Sequence, residues 1–345
     1  MKKYLIAVVY TVLLALFTLY TVMDTFKAGT STDFDLPRTL AKYTSTPTPV
    51  PALTAAPVVT ATPSVAASKS ETLTPTPTPT ATPTIEPTWS ADGYIDSNMS
   101  VKISRYREYE SDIYVVDAVV NSADLLKTAI TGVNKRGDYI WDYVSNISNS
   151  YDDLIISING DCWKHKTTGY SIKNGVILRD TYTTASNGFI TKEEPRQETL
   201  VLWADGSASI VKEGDYTAQE LIDKGAWQLF NFGPALINDG ENVAKTSFTT
   251  VDVANSRHPR TAIGLKDDLH YVFIIVDGRN GSTNRGVTCS QLAEFGMSLG
   301  IKYLYNLDGG GSATLYFQGE VLNKPCRKEG KIGEVTVTDI VYIGY

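Results

Sequence analysis

The sequence from residue 91 to residue 345 predicts an α+β (mixed α/β) domain, in which helices pack on a single sheet. Three observations support this fold class. Short apolar runs alternate with turns such as Asn174-Gly175 and Asp205-Gly206, which are typical of β-hairpins. The continuous apolar run 271–276 is typical of a strand covered on both faces. The segment 288–300 has the apolar spacing of a helix.

The individual elements follow in order along this domain. Thr288 and Gln291 have the spacing of a capping box at the start of the helix in 288–300, and Gly300 marks its end. Apolar residues at helical spacing predict another helix over 138–148. Strands are expected at 113–120, 153–158, 271–276 and 301–305, hairpins at 169–178 and 199–211, and a closing strand at 334–345.

The N-terminal residues 1–27 predict a signal-anchor helix. Lys2 and Lys3 precede the uncharged apolar run 5–23, which is long enough to cross a bilayer. The lysines predict a cytoplasmic N-terminus, so we expect a single-pass protein of the cell membrane with an extracellular domain. A cleaved signal peptide, and therefore a secreted protein, is the alternative interpretation.

Residues 28–90 predict a disordered linker between the anchor and the domain. Thr-Pro repeats dominate residues 44–90, which contain few aromatic or charged side chains. Such a composition cannot bury enough apolar surface to offset the entropy of ordering. Proline favours an extended spacer, and the threonines suit O-glycosylation.

Composition excludes several functional classes. The net charge of −7 and the absence of a basic run argue against a nucleic-acid partner. Cys162, Cys289 and Cys326 form neither a disulfide framework nor a zinc motif, although one disulfide stays open. The three histidines lack metal-ligand spacing and are expected to be ordinary surface or partly packed residues. The oligomeric state is left open.

Polar residues follow three of the apolar strands. The clusters are Asn159-Gly160-Asp161, Asp277-Gly278-Arg279 and Asn306-Leu307-Asp308-Gly309. Asn, Asp and Gly also end strands for purely conformational reasons. Because functional groups collect at strand ends, the three clusters together predict a shared cleft.

The glycine-rich segment 306–312 predicts an anion-binding turn. Gly309, Gly310 and Gly311 allow a ligand to approach the main chain, and successive amides can form a nest. No Lys-Ser/Thr follows the glycines, so this is not a P-loop. Arg260, in the stretch 257–265, is a suitable donor to phosphate, whereas Arg257 is expected in a solvated or salt-bridged loop.

These motifs together resemble the phosphodiester glycosidase family. The resemblance rests on 257–265, 276–279, 286–300 and 306–325, supported by 155–161 and 231–240. It covers roughly residues 110–345 and implies hydrolysis of a sugar 1-phosphodiester in an exported or cell-envelope glycan. Bacterial members are often labelled exopolysaccharide biosynthesis proteins.

The resemblance and the chemistry of the reaction imply a set of site residues. Charge clamping of the phosphate should matter most, because the leaving group is already anionic. We expect Asp308 to act as base or nucleophile with Asp277 as its partner, and Asn306 to orient either the substrate or Asp308. The expected substrate- and phosphate-binding residues are Arg260, Arg279, Thr261, Asn159, Asp161, Ser282, Thr288, Gly309, Gly310, Gly311 and Ser312.

Alternatives of different classes stay open. One is a non-catalytic glycan- or wall-binding module, and another is a sugar-phosphate transferase of the same fold. No cofactor is required by the sequence. Mg²⁺ or Ca²⁺ bound through Asp161, Asp277 and Asp308 is compatible with the residue types, but the spacing does not demand it.

Overall fold

The computed structural model describes residues 85–136, 138–162, 168–182, 197–245, 254–328 and 330–345. The predicted anchor and most of the predicted linker lie outside the described residues. Within those ranges, no helix is long and apolar enough to span a membrane. A first strand, Thr88–Ser90, pairs with Gly93–Ile95. The strand Thr88–Ser90 lies inside the predicted linker.

Strands dominate the described chain, and its three α-helices are short. The helices are α1 (Val144–Ser148), α2 (Ala218–Asp223) and α3 (Cys289–Ser298). The strands are β1 (Thr88–Ser90), β2 (Gly93–Ile95), β3 (Met99–Glu108), β4 (Ser111–Val120), β5 (Leu126–Ile130), β6 (Leu154–Asn159), β7 (Ser171–Lys173), β8 (Val176–Arg179), β9 (Glu198–Trp203), β10 (Ala208–Lys212), β11 (Ala226–Phe230), β12 (Ala235–Asn238), β13 (Glu241–Asn242), β14 (Arg260–Asp267), β15 (His270–Val276), β16 (Tyr303–Asn306), β17 (Leu315–Phe317), β18 (Glu320–Val321) and β19 (Asp339–Gly344).

The strands form three antiparallel sheets. The largest has the order β1-β2-β3-β4-β15-β14-β16-β12-β13, and the two smaller sheets have the orders β10-β9-β11-β7-β8 and β18-β17-β6-β19-β5. The prediction of a sheet-based domain with packed helices is therefore right in outline. The single sheet and the mixed α/β component are wrong.

The β15-α3-β16 segment explains the wrong α/β component. A strand–helix–strand pattern in sequence is typical of two adjacent parallel strands. Here β14 lies between β15 and β16 and is antiparallel to both. The helix therefore connects strands that are not neighbours, which a sequence pattern alone does not reveal.

A core shared by the three sheets holds the domain together. It contains Val116 and Phe273 of the large sheet, Leu202 of the second sheet and Ile158 of the third. Each sheet also has a helix on its outer face: α3 on the large sheet, α2 on the second and α1 on the third. The large sheet is thus covered on both faces, which confirms the interpretation of the run 271–276.

Several local predictions are confirmed. The hairpins β7–β8 and β9–β10 turn at the predicted dipeptides. Helix α3 begins with the predicted capping box, in which the Thr288 hydroxyl accepts from the Gln291 amide at 3.2 Å. Gly300 follows the helix with a φ of 73°. All three cysteines are free thiols.

Two predicted elements are shorter than expected. The helix expected over 138–148 is reduced to α1, because Tyr139 and Asp142 form isolated bridges to Val133 and Val337. The strand expected over 334–345 is reduced to β19. This strand lies between β6 and β5 and is buried throughout, so it does not close the sheet at an edge.

Candidate active site

A cavity of about 690 Å³ lies where β15 and β16 end and β14 begins. This volume is in the usual range for a small-molecule site. It is lined by polar, cationic and a few apolar residues: Tyr143, Phe232, His258, Arg260, Arg279, Asp308, Gly309, Gly310, Gly311, Arg327, Lys328, Val335 and Thr336.

The sheet topology explains why distant segments meet here. Because β14 is antiparallel to both neighbours, its first residues lie beside the last residues of β15 and β16. Arg260 pairs with Val276, and Ala262 pairs with Asn306. Two of the three predicted strand-end clusters therefore lie side by side at the same strand ends of the large sheet.

The glycine turn after β16 forms one wall of the cavity. Gly310 has a φ of 65°, in the left-handed region that favours glycine. A Cβ at this position would lie only 2.8 Å from Nη1 of Arg279, so the guanidinium packs directly on the turn. The Gly310 amide donates to the Pro259 carbonyl at 2.8 Å. This amide is therefore not available to an anion, contrary to the prediction of a three-amide nest.

Asn159 and Thr261 hold the turn from behind. The side-chain amide of Asn159 donates to the Asp308 carbonyl at 2.7 Å, and its oxygen accepts from the Thr261 hydroxyl at 2.8 Å. The same oxygen accepts from the Thr314 amide at 3.2 Å. Both predicted residues are fully buried and do not line the cavity. They position the segment that carries Asp308.

Arg260 lies at the base of the cavity and is 3% exposed. Its Nε donates to the Val287 carbonyl at 3.1 Å, and Nη2 donates to the Ser256 carbonyl at 2.8 Å. Burial lowers the pKa of this guanidinium, which still remains far above neutrality. Arg260 thus fixes the loop before β14 and contributes positive charge to the cavity.

His258 is a cavity residue that the sequence analysis dismissed. Its Nδ1 accepts from Nε of Arg279 at 3.3 Å and lies 3.2 Å from Nη2. Burial, then the nearby Arg279, Arg260 and Lys328, lower the pKa of His258. The ring is therefore neutral at pH 7, with its proton on Nε2 because Nδ1 is the acceptor.

The three predicted catalytic residues have different positions. Asp308 is half-buried and is the one carboxylate among the described residues that line the cavity. Asn306 is fully buried, donates to the Gly233 carbonyl at 2.8 Å and does not line the cavity. Asp277 is 1% exposed and does not line it either. The structure therefore does not bring Asp308 and Asp277, the predicted pair, together at the cavity.

Asp277 instead anchors the segment 323–336. Its Oδ1 accepts from Nδ2 of Asn323 at 3.0 Å and from the Lys324 amide at 2.9 Å. Burial raises the pKa of this carboxyl. The anchored segment carries Arg327 and Lys328 to the cavity, and the sequence analysis missed both. The only signal was the local density of cations over residues 324–331.

Asp161 belongs to a separate buried cluster. Its Oδ2 forms an ion pair with Nζ of Lys173 at 3.1 Å and accepts from the Asn231 amide at 2.9 Å. Its amide donates to Oδ2 of Asp339 at 3.1 Å. The cluster joins the ends of β6, β7, β11 and β19 and is not part of the cavity wall. Its role is to connect two sheets.

The remaining predicted binding residues also lie away from the cavity. Ser282 is exposed on the loop after β15, and the Thr288 hydroxyl is used to cap α3. Ser312 is buried in the 3-10 turn Gly310–Ser312. Among the described residues, no three His, Cys, Asp or Glu side chains come together as metal ligands. Asp161 and Asp277 are held by separate sets of partners, and Asp308 lines the cavity.

The fold and the cavity define a sheet-rich protein with a cationic cleft at the strand ends of its largest sheet. The phosphodiester glycosidase family matches residues 152–343, more than half of the chain. The chain belongs to this family.

A curated protein matches about half of this chain. The SPbeta prophage-derived uncharacterized protein YomE of Bacillus subtilis (strain 168) is 31% identical over 171 residues. That match covers 49% of this chain and only 25% of the relative, so the chain spans about a quarter of that protein.

A solved structure shows the same fold. The catalytic domain of zebrafish N-acetylglucosamine-1-phosphodiester alpha-N-acetylglucosaminidase, auto-inhibited by its pro-peptide, superposes with a TM-score of 0.52. The alignment covers 72% of this chain and 83% of that domain at 19% identity.

Proposed function

We propose that this protein hydrolyses a sugar 1-phosphodiester and releases the free sugar and a phosphomonoester. The observation that carries the proposal is the composition of the cavity. Arg260, Arg279, Arg327 and Lys328 surround one carboxylate, Asp308, beside the glycine turn. An anionic substrate fits such a cavity, and the planar arginine fork matches the geometry of a phosphate group.

The phosphate would be held mainly by Arg279. This side chain packs on Gly310, and the neutral His258 fixes the orientation of its guanidinium. Arg260 adds positive charge from the base of the cavity. Pre-positioned cations stabilise charge that develops on the departing phosphate, and such stabilisation is usually the largest catalytic term.

Asp308 would act at the sugar. Cleavage of the bond between the anomeric carbon and the phosphate oxygen gives the sugar oxocarbenium character, which a carboxylate stabilises or traps. Asp308 either activates the attacking water as a base or attacks the anomeric carbon itself; in the second case the phosphomonoester leaves first and water then hydrolyses the glycosyl–Asp308 ester. His258 lines the same cavity, where its Nδ1 accepts from Arg279 and its Nε2–H can donate a hydrogen bond to the substrate.

The zebrafish structure supports this class of substrate. The zebrafish domain acts, by its name, on an N-acetylglucosamine 1-phosphodiester. We extend only the class to this chain, a glycan-type substrate joined through a sugar 1-phosphodiester.

A turnover assay tests the proposal. The full chain is incubated with a panel of sugar 1-phosphodiesters, including α-N-acetylglucosamine 1-phosphate esters, and free sugar and phosphomonoester are measured. We expect release by the wild type and loss of release in Asp308→Asn. Retained glycan binding without release from any substrate would favour a binding module. A new glycoside formed only when an acceptor is added would favour a transferase.

We also propose that the domain acts outside the cell on an exported or cell-envelope glycan. The support is the uncharged run 5–23 after Lys2 and Lys3, followed by the Thr-Pro segment. Protease treatment of intact cells tests this placement. Degradation of the domain without lysis is expected, and protection until lysis would contradict it.

A further inference from the structure

We propose that the glycan substrate carries a second phosphate in addition to the phosphodiester that is cleaved, and that Arg327 and Lys328 bind it. This inference rests on the proposed function, since it assigns the class of substrate that the same cavity takes. The ligand chemistry is a glycan with successive phosphate groups, such as a chain of repeated phosphodiester linkages.

The first argument is the number of charges. One phosphodiester carries one negative charge, and Arg260 and Arg279 already lie beside the glycine turn to match it. Arg327 and Lys328 add two further positive charges to the same cavity, where Asp308 is the one carboxylate among the described lining residues. The whole chain has a net charge of −7, so this concentration of cations runs against its overall composition.

The second argument is the absence of carboxylate partners. Arg257 and Arg285, on nearby loops, both form ion pairs with Glu110 at 3.0 Å. Among the described residues, no carboxylate forms an ion pair with Arg327 or Lys328. Unpaired cations that share a cavity repel one another, and a bound anion removes that repulsion.

The third argument is that the two pairs of cations lie at different depths. Arg260 is buried and Arg279 half-buried, whereas Arg327 and Lys328 are exposed. The inner pair comes from β14 and the loop after β15, and the outer pair comes from the segment 323–336. Two separate groups of donors suit two phosphates better than one.

The fourth argument is that Arg327, and the segment that carries it, are held in place before a ligand binds. Asp277 fixes the start of the segment, and Sγ of Cys326 donates to the Arg279 carbonyl at 3.4 Å. The amide of Arg327 donates to the Lys331 carbonyl at 3.0 Å, and its Nη2 donates to the Glu334 carbonyl at 2.8 Å. The other guanidinium nitrogens remain for a phosphate, and preorganisation lowers the entropic cost of binding.

A binding experiment with simple phosphates tests the inference without turnover. The full chain is titrated by calorimetry with glycerol 1-phosphate and with glycerol 1,3-bisphosphate. The bisphosphate should bind roughly tenfold more tightly, since each exposed cation contributes a small charge-assisted interaction. The preference should shrink as salt is raised, because the outer pair is exposed.

Matched variants identify the residues responsible. The double variant Arg327→Gln, Lys328→Gln should lose the preference for the bisphosphate. The control Lys102→Gln, Lys212→Gln removes the same charge from exposed side chains outside the cavity and should keep the preference. Equal unfolding temperatures of the two variants would show that both are folded.

The outcomes separate this inference from the proposed function. Equal affinity of the wild type for the two phosphates, no binding of either, or a preference that survives in Arg327→Gln, Lys328→Gln would overturn the inference. Sugar release without a bisphosphate preference would leave the hydrolase intact and remove the second phosphate. A preference that depends on Arg327 and Lys328 without sugar release would support the second phosphate site and contradict hydrolysis.

Discussion

Replacing Gly310 with alanine tests whether the position of Arg279 on the glycine turn matters for catalysis. The new Cβ would lie 2.8 Å from Nη1, 2.9 Å from Nη2 and 3.1 Å from Cζ of Arg279. These distances are too short, and the contacted atoms are the end of a flexible side chain, so the guanidinium must move away. A φ of 65° adds about 1–2 kcal/mol of backbone strain for alanine.

The expected kinetic effect follows from the interaction that is displaced. A hydrogen bond to a charged group contributes about 1.5–3 kcal/mol, so kcat/KM should fall roughly ten- to hundredfold. The assay compares kcat/KM and thermal unfolding of wild type and Gly310→Ala, using a sugar 1-phosphodiester that the wild type cleaves.

Gly319→Ala is the matched control. Gly319 has a φ of 86°, and a Cβ there would have no neighbour within 4 Å. Gly319→Ala should lose a similar amount of unfolding free energy and should keep the wild-type kcat/KM. The reasoning would be refuted if Gly310→Ala were destabilised as much as Gly319→Ala but retained wild-type kcat/KM.

Two further predictions concern Thr288 and Asp277, which the structure places away from the cavity, and a third concerns the buried carboxyl of Asp339. Thr288→Ala should cost about 1 kcal/mol of unfolding free energy through the lost helix cap and leave kcat/KM unchanged, whereas a kinetic loss would return Thr288 to the substrate. Asp277→Asn keeps an acceptor oxygen for Asn323 and Lys324 but cannot act as a base, so turnover should persist; loss of turnover in a stably folded variant would make Asp277 catalytic. Burial, and then the Asp161 carboxylate, raise the pKa of Asp339 to about 7 from its usual 3.8, so the folded state holds a proton that the unfolded chain releases. The associated stability is present below the lower pKa and lost as the pH rises through the higher one, so Asp339→Asn should flatten the dependence of unfolding free energy on pH; an unchanged pH profile would contradict this assignment.

The parts of the fold that the sequence predicts are those determined by local chemistry. Asn174-Gly175 and Asp205-Gly206 select tight hairpin turns, and Thr288 with Gln291 satisfies the first amides of α3. The division into three sheets depends instead on which strands pair across long stretches of chain. The position of β14 between β15 and β16 is a tertiary property that no local pattern contains.

The candidate site shows the same division. Asp308, Arg260, Arg279 and the three glycines were predicted, and the structure places all of them on one cavity. Asp277 occupies an equivalent strand end, but its carboxyl is bound to Asn323 and Lys324 inside the protein. Strand-end position thus does not decide whether a carboxylate reaches the cavity. His258 was missed because its partner, Arg279, is distant in sequence.

The measurement that tests the central claim most directly is the fate of the oxygen from water. Breaking either the anomeric carbon–oxygen bond or the phosphorus–oxygen bond yields the same sugar and phosphomonoester. The reaction is therefore run with the full chain in water enriched in heavy oxygen, and both products are analysed by mass spectrometry. A phosphodiester glycosidase that uses Asp308 at the sugar must place the label at the anomeric carbon of the released sugar. Label found in the phosphomonoester would show attack at phosphorus and contradict the account.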